Sequence, residues 1–258
     1  MLFSWFKSRS RRRIKEAAFP EPWRQILVDN LWQYARLTSD EKTSLHQSMA
    51  VLLQEKNWEG CNGFHVDEET KVLVAAQVGL LTLGLEDEYF DNVLSILIYP
   101  TAYRATSQSS PGAGIIIEGQ SDRLGEAWYR GPVILTHPDI VDGAQSTHGG
   151  RNLVMHEFAH QIDMLNGRVA DGIPPIDSHE EVERWNHCFE HTYQQLVEDC
   201  QRGRSALVDC YGATNKAECF AVLSETFFQQ PQRIAQNDPD MFQALCGYYR
   251  QDPQRWQN

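Results

Sequence analysis

His156 and His160 lie four residues apart, with Glu157 directly after the first, in the run His156-Glu157-Phe158-Ala159-His160. On an α-helix, positions four apart sit one turn above each other, so both imidazoles leave the same face. Two neutral imidazoles so placed can hold one zinc ion, and a carboxylate beside them can take a proton from water at the metal. The surrounding run suits a helix: Gly149-Gly150 closes the loop before it, Asn152 can cap its start and Asn166-Gly167 can stop it. On a helical wheel Val154, Met155, Phe158, Ile162 and Leu165 form one face. His156, His160 and Asp163 fall together on the other, flanked by Leu153 and Met164. A polar trio framed by apolar neighbours is what the floor of a cleft requires.

A second literal motif, His187-Cys188-Phe189-Glu190-His191, matches the inverted zinc pattern. Its helix places Val182, Trp185, Phe189, Tyr193 and Leu196 on one face. His187 and His191 project from the other, among Glu180, Glu183, Glu190, Gln194 and Glu198, as on a solvated surface helix.

A catalytic zinc needs three protein ligands and an open position. The pattern with glycine three and histidine six residues past the second ligand is absent, because Asp163 and Asn166 stand there. A carboxylate from a later helix remains. Glu218 and Glu225, seven apart and on one helical face, lie in a segment whose Phe220, Leu223, Phe227 and Phe228 belong in a core. Unpaired carboxylates are costly there, and a metal and a ligating imidazole would serve as partners. The alternative is that both are solvated.

Several elements must position these groups. Residues 20–37 read as an amphipathic helix. Thr38 with Glu41 forms a capping-box signature for a second helix ending near Asn57, where Lys56 to Gly60 break the pattern. A third helix is expected from Asp67 to Leu83. Residues 93–99, 114–118 and 132–136 read as strands, with a Ser/Pro/Gly loop at 107–114. Beyond the histidine helix, helices are expected from His179 to about Gly203, from Lys216 to Gln229 after an Asn215 cap, and from Asp238-Pro239 to about Arg250. Helices, a short sheet, then helices again indicate an α+β architecture.

The 258 residues are 41% hydrophobic, ordinary for a globular chain. The first fifteen residues carry six cations and no acid within a net charge of −12, which leaves −18 for the remainder. So acidic a body argues against direct nucleic-acid binding. Residues 1–19 read as a flexible basic tail, the other reading being loose membrane or partner contact, and residues 20–258 as one domain. The apolar residues at the front precede the charges, the reverse of a secretory signal, and nothing is long enough to span a membrane, so a cytoplasmic protein is expected. Six cysteines without a Cys-x-x-Cys pair are expected to be free thiols rather than a zinc site.

Taken together, His156-Glu157-x-x-His160, Asp209-x-Tyr211 and Ala217-Glu218-Cys219-Phe220-Ala221-Val222-Leu223-Ser224-Glu225 resemble the Mlc titration factor A family of bacterial zinc metallopeptidases. The segments Leu97-Ile98-Tyr99-Pro100 and Gly131-Pro132-Val133-Ile134-Leu135 are similar too, so the resemblance covers about residues 20–255. The catalytic part also resembles the protease domain of anthrax lethal factor, where a tyrosine precedes the ligand glutamate by seven residues, as Tyr211 precedes Glu218 here. The resemblance implies a zincin-like α+β fold, one Zn2+ held by His156, His160 and Glu218, Glu157 as general base and Tyr211 facing a peptide substrate. It further implies aminopeptidase-type activity and binding to the Mlc repressor of sugar-uptake genes. Some members carry a histidine near 115–119; here none occurs and Glu118 is a weak substitute.

On this reading Glu157 moves the proton of the attacking water and Tyr211 donates to the oxyanion. Glu225 or Asp163 would accept the second N–H of a ligand histidine. The competing reading is a non-catalytic binder that sequesters a transcription repressor, with zinc serving structure only. An intact Glu157 favours the enzyme, since a purely structural site has no use for a base beside the metal.

Overall fold

Thr38 and Asp67 show how local chemistry starts the helices of this chain. In a computed structural model, which describes residues 2–85, 87–101, 131–147, 149–167 and 169–257, the Thr38 side chain accepts from the Glu41 N–H and the Glu41 side chain returns to the Thr38 N–H. That reciprocal cap opens α3, Ser39–Glu55, which follows α1, Leu2–Glu16, and α2, Glu21–Asn30. Asp67 accepts from Thr70 N–H and opens α4, Glu68–Leu81. From Val72 to Leu81 this helix is buried on all sides and apolar but for Gln77, and it is the central post of the fold. The helix expected across residues 20–37 is two pieces, α2 and a 3-10 turn at Trp32–Arg36.

Three parallel strands form the sheet, in the order β1-β2-β3: Asn57–Gly60, Ser95–Tyr99 and Val133–Thr136. Asn57 pairs with Ser95 and Gly60 with Ile98, and Ile96 pairs with Val133 and Tyr99 with Thr136. The strands expected at 93–99 and 132–136 are present. The strand expected at 114–118, with Glu118 and the 107–114 loop, lies outside the described residues. Residues 57–60, read as a break, are instead β1, whose backbone bonds Asn57 N–H to Leu94 O and Cys61 N–H to Ile98 O. Asn57-Trp58-Glu59-Gly60 carries no alternation of apolar residues, so only the pairing partner makes it a strand.

Behind β3 the chain enters α5, His137–Gln145, capped by Thr136, then α6, Leu153–Asp163, and α7, His179–Gln201. The last helices are α8, Lys216–Gln229, α9, Pro231–Asn237, and α10, Pro239–Tyr249. The α+β expectation holds. Helices α5 and α9, each with proline in the first turn, were not anticipated; both are short, and packing rather than periodicity sustains them.

Residues 2–16, expected as part of a flexible tail, form helix α1. The cause is pairing with the acidic body: Arg11 Nη2 meets Glu55 Oε2 at 2.6 Å and Lys15 Nζ meets Asp87 Oδ1 at 2.7 Å. The expectation of six free thiols is corrected as well, since Cys200 and Cys210 form a disulfide. Gly203, at φ +64, lets the chain reverse after α7 and return Cys210 beside Cys200.

His46 of α3 makes one stability prediction. It stacks on Phe19 with ring centroids 3.8 Å apart, and the Tyr34 hydroxyl lies 2.9 Å from its Nε2. Burial, then the charges of Arg24 and Lys42, push its pKa down from 6.5 to about 4. The unfolded chain therefore takes up this proton at higher pH than the folded chain, and stability is lost as pH falls from about 6.5 toward 4. Chemical denaturation across that window should show a shallower decline for His46→Gln than for the wild type.

Candidate metal centre

Helix α6 starts where Asn152 places its side-chain oxygen on the Met155 N–H at 2.9 Å. The Asn152 amide nitrogen also donates to Gly143 O at 3.1 Å, locking α6 to α5. Only glycine fits at 143, because a Cβ there would lie 2.7 Å from Gln77 Oε1 and 2.9 Å from Asn152 Cγ. The apolar face of α6 packs Val154, Met155, Phe158 and Ile162 into the core, all fully buried. His156 and His160 are thereby turned toward α8. Glu218 lies in the first turn of α8, whose cap Asn215 accepts the Glu218 N–H at 2.9 Å. A carboxylate at a helix N-terminus is favoured by the helix dipole.

Three side chains, 62 residues apart at the extremes, converge here. His156 Nε2 lies 3.1 Å from Glu218 Oε2 and 3.2 Å from His160 Nε2, and His160 Nε2 lies 3.4 Å from Glu218 Oε2. Among the described residues this is the group of histidine, cysteine and acidic side chains whose ligand atoms approach one another closely enough for a metal ion. Bonds of about 2.0–2.1 Å to a tetrahedral zinc put its ligand atoms roughly 3.3 Å apart. The three donors already stand at that separation, so the residues present fit the ion. His187 and His191 of the inverted motif are exposed on the outer side of α7, as its charged face implied.

The structure also separates the two candidates for the supporting contact. Glu225 Oε1 lies 2.7 Å from His156 Nδ1, and Glu225 Oε2 accepts the Asn152 N–H at 2.6 Å. With its Nδ1 proton held by Glu225, His156 would offer Nε2 to a metal that displaces the Nε2 proton. Asp163 is engaged elsewhere: it is fully buried and accepts the Gly172 N–H at 2.8 Å, anchoring the loop that returns to α7. Gly172 stands at φ +83, a conformation that favours glycine. The wheel grouped Asp163 with the histidines, but the helix passes into a 3-10 turn at Met164–Asn166, and the folded-back loop covers it.

Electrostatics bind the cluster tightly. Burial lowers the His156 pKa, but the bonds to Glu218 and Glu225 outweigh it and push it up to about 10. Burial acts to raise Glu218, and the two histidines override it, holding the carboxylate well below its usual range. Glu157, half-buried, is raised chiefly by desolvation, with His156 and His160 opposing. Tyr211 sits in the 3-10 turn Cys210–Ala213, where Asp209 accepts its backbone N–H at 2.8 Å. Its ring centroid lies 6.0 Å from that of His156, and burial followed by the Glu218 charge raises its hydroxyl pKa. The Cys200–Cys210 disulfide ties this turn to the end of α7, a support that sequence reading missed because a ten-residue separation names no partner.

This arrangement of paired histidines, an adjacent carboxylate and a third acidic donor invites comparison with known proteins. Residues 5–250 match the family described as Glucose-regulated metallo-peptidase M90. The chain belongs to the M90 metallopeptidase family. Among the relatives of this M90 protein, an uncharacterized protein of Synechocystis sp. is 34% identical over 243 residues, covering 94% of this chain and 88% of its own. Mlc titration factor A of Yersinia pestis (strain Pestoides F) and of Yersinia pseudotuberculosis (strain YPIII) are each 34% identical over 242 residues, covering 92% of this chain and 88% of theirs. Membership implies a metal cofactor, and the His156–His160–Glu218 cluster is where the M90 chain offers a place for one. No described helix is long and apolar enough to cross a membrane.

Proposed function

We propose that this M90 protein is a zinc-dependent peptidase, of aminopeptidase type, whose metal is held by His156, His160 and Glu218. The observation that carries the reading is the convergence of those three donors with Glu157 on the next position of the same helix. Zinc, when bound, would supply a Lewis acid that polarises the scissile carbonyl and acidifies a water. Glu157 then takes the proton from the attacking water and returns it to the leaving amine. Its partial burial favours the protonated form that the second transfer needs. The Tyr211 hydroxyl, kept protonated by its raised pKa, donates to the oxyanion as charge develops. Glu225 accepts from His156 Nδ1–H, which would direct Nε2 to the metal.

The test is hydrolysis of chromogenic aminoacyl substrates beside internally quenched peptides blocked at the amino terminus. Chelation should abolish turnover and zinc should restore it; cleavage of the blocked peptides alone would replace the aminopeptidase assignment with an endopeptidase one. Tyr211→Phe should lower kcat about 10²–10³-fold with zinc content unchanged; an unaltered kcat would remove the oxyanion role.

A repressor-binding function, with the peptidase site idle, is the second reading, and the name Mlc titration factor A borne by relatives at 34% identity supports it. We infer that the chain also binds an Mlc-type repressor, a partner that would place it in the cytoplasm. Binding retained in Glu157→Gln would show that the two activities are separable.

A further inference from the structure

Helix α1 divides its cations between two faces. Lys7, Arg11 and Lys15, four apart, turn toward the body. Lys7 Nζ meets Asp91 Oδ1 at 2.7 Å, Arg11 bonds Glu55 and Asp91, and Lys15 bonds Asp87. Arg11 also lies over the Tyr89 ring, 4.5 Å from its centroid. These contacts use the acidic surface to fix the helix in place.

The opposite face is left outward. Trp5 and Phe6 are 55% and 59% exposed, two of the five large hydrophobic side chains exposed to this degree among the described residues, and they are adjacent. Their rings meet edge to face at 5.1 Å, and the Arg9 guanidinium lies 5.5 Å from the Trp5 ring centroid. Arg9, Arg12 and Arg13 are exposed on the same side; Arg12 pairs within the helix to Glu16, and Arg13 has no ion-pair partner among the described residues. A helix held to its domain by one row of cations, while presenting two aromatics and three guanidiniums to solvent, is built to meet something both anionic and apolar.

We infer that this outward face of α1 binds the surface of an anionic lipid bilayer. Arg9, Arg12 and Arg13 would take lipid phosphates, which guanidinium groups grip with two parallel bonds. Trp5 and Phe6 would enter the boundary between headgroups and acyl chains, where aromatic rings are favoured. Charge complementarity selects the occupant: the remainder of the chain carries −18, so this patch is where a negative surface can approach. Nucleic acid would use the cations but leave the aromatic pair without purpose, and its long charged backbone would run onto Asp87 and Asp91 beside the helix.

Sedimentation of the full chain with vesicles tests this. Vesicles of phosphatidylglycerol and phosphatidylethanolamine should carry the protein down at low salt, and phosphatidylcholine vesicles should not. The double changes Trp5→Ser with Phe6→Ser, and Arg9→Ser with Arg13→Ser, should each weaken anionic-vesicle binding on the order of tenfold or more. None of these side chains holds α1 to the body, so the thermal transition should be unchanged. The proposal is overturned if the wild type stays in the supernatant with anionic vesicles, or if both variants bind them as the wild type does. It is equally overturned if duplex DNA binds more tightly than the vesicles and displaces them, which would make the face a nucleic-acid contact.

Discussion

Replacing Glu157 with glutamine should reduce peptide hydrolysis by about 10²–10⁴-fold while leaving the zinc content of the protein as it was. Glu157 follows His156 on α6 but is not one of the three side chains whose ligand atoms converge, so the change removes a proton acceptor without removing a metal donor. Glutamine keeps the size and the helix preference of the original, and the apolar face of α6 is untouched. The informative experiment measures kcat/KM and metal stoichiometry on the same preparation. Loss of activity together with loss of zinc would mean that Glu157 supports the metal; equal activity in both proteins would end its role as base. The same pair of proteins distinguishes the enzyme from the binder, because a structural metal would tolerate the change in every assay.

The second large effect is expected at Glu225, which meets His156 through Nδ1, the nitrogen that Glu218 does not meet. Its two oxygens serve His156 Nδ1 at 2.7 Å and the Asn152 N–H at 2.6 Å, in surroundings that leave it 5% exposed. Glu225→Ala would strand both donors, at about 1–3 kcal/mol each, and free the imidazole to rotate. Zinc affinity should fall about 10–100-fold by competition with a chelator, and the metal-free protein should melt several degrees lower. Glu225→Gln, which keeps one acceptor oxygen, should recover part of both losses. Metal affinity unchanged in Glu225→Ala would show that His156 is oriented by packing alone.

These two residues also mark how far the chain could be read without its fold. The spacing of His156, Glu157 and His160, the Asn152 and Asn215 caps, and the capping box at Thr38 are relations within one helical turn. Backbone geometry is the same wherever such a turn occurs, so the motif, its helix and the surface character of His187 and His191 were legible directly. The third donor was legible only as a pair, Glu218 or Glu225, because the residues show that two acids share an apolar helix and need partners. The resemblance to a known family named Glu218; the structure shows Glu218 beside both Nε2 atoms and Glu225 behind His156.

What tertiary structure decided was every relation between distant segments. Asp163 belongs by periodicity to the histidine face, yet the loop through Gly172 folds over it and takes its carboxylate. Asn57–Gly60 has no strand pattern and becomes β1 because β2 offers its backbone. Cys200 and Cys210 are paired by a chain reversal that no local spacing encodes. The cationic first segment, read as a flexible tail, is a helix held by Glu55, Asp87 and Asp91, partners that lie more than forty residues away along the chain. Periodicity records which face of an element is apolar; it carries no record of which element that face, or a charge upon it, will meet. Local geometry thus made the His156-Glu157-x-x-His160 turn legible from the sequence, and packing brought Glu218 to both Nε2 atoms and Glu225 to His156 Nδ1.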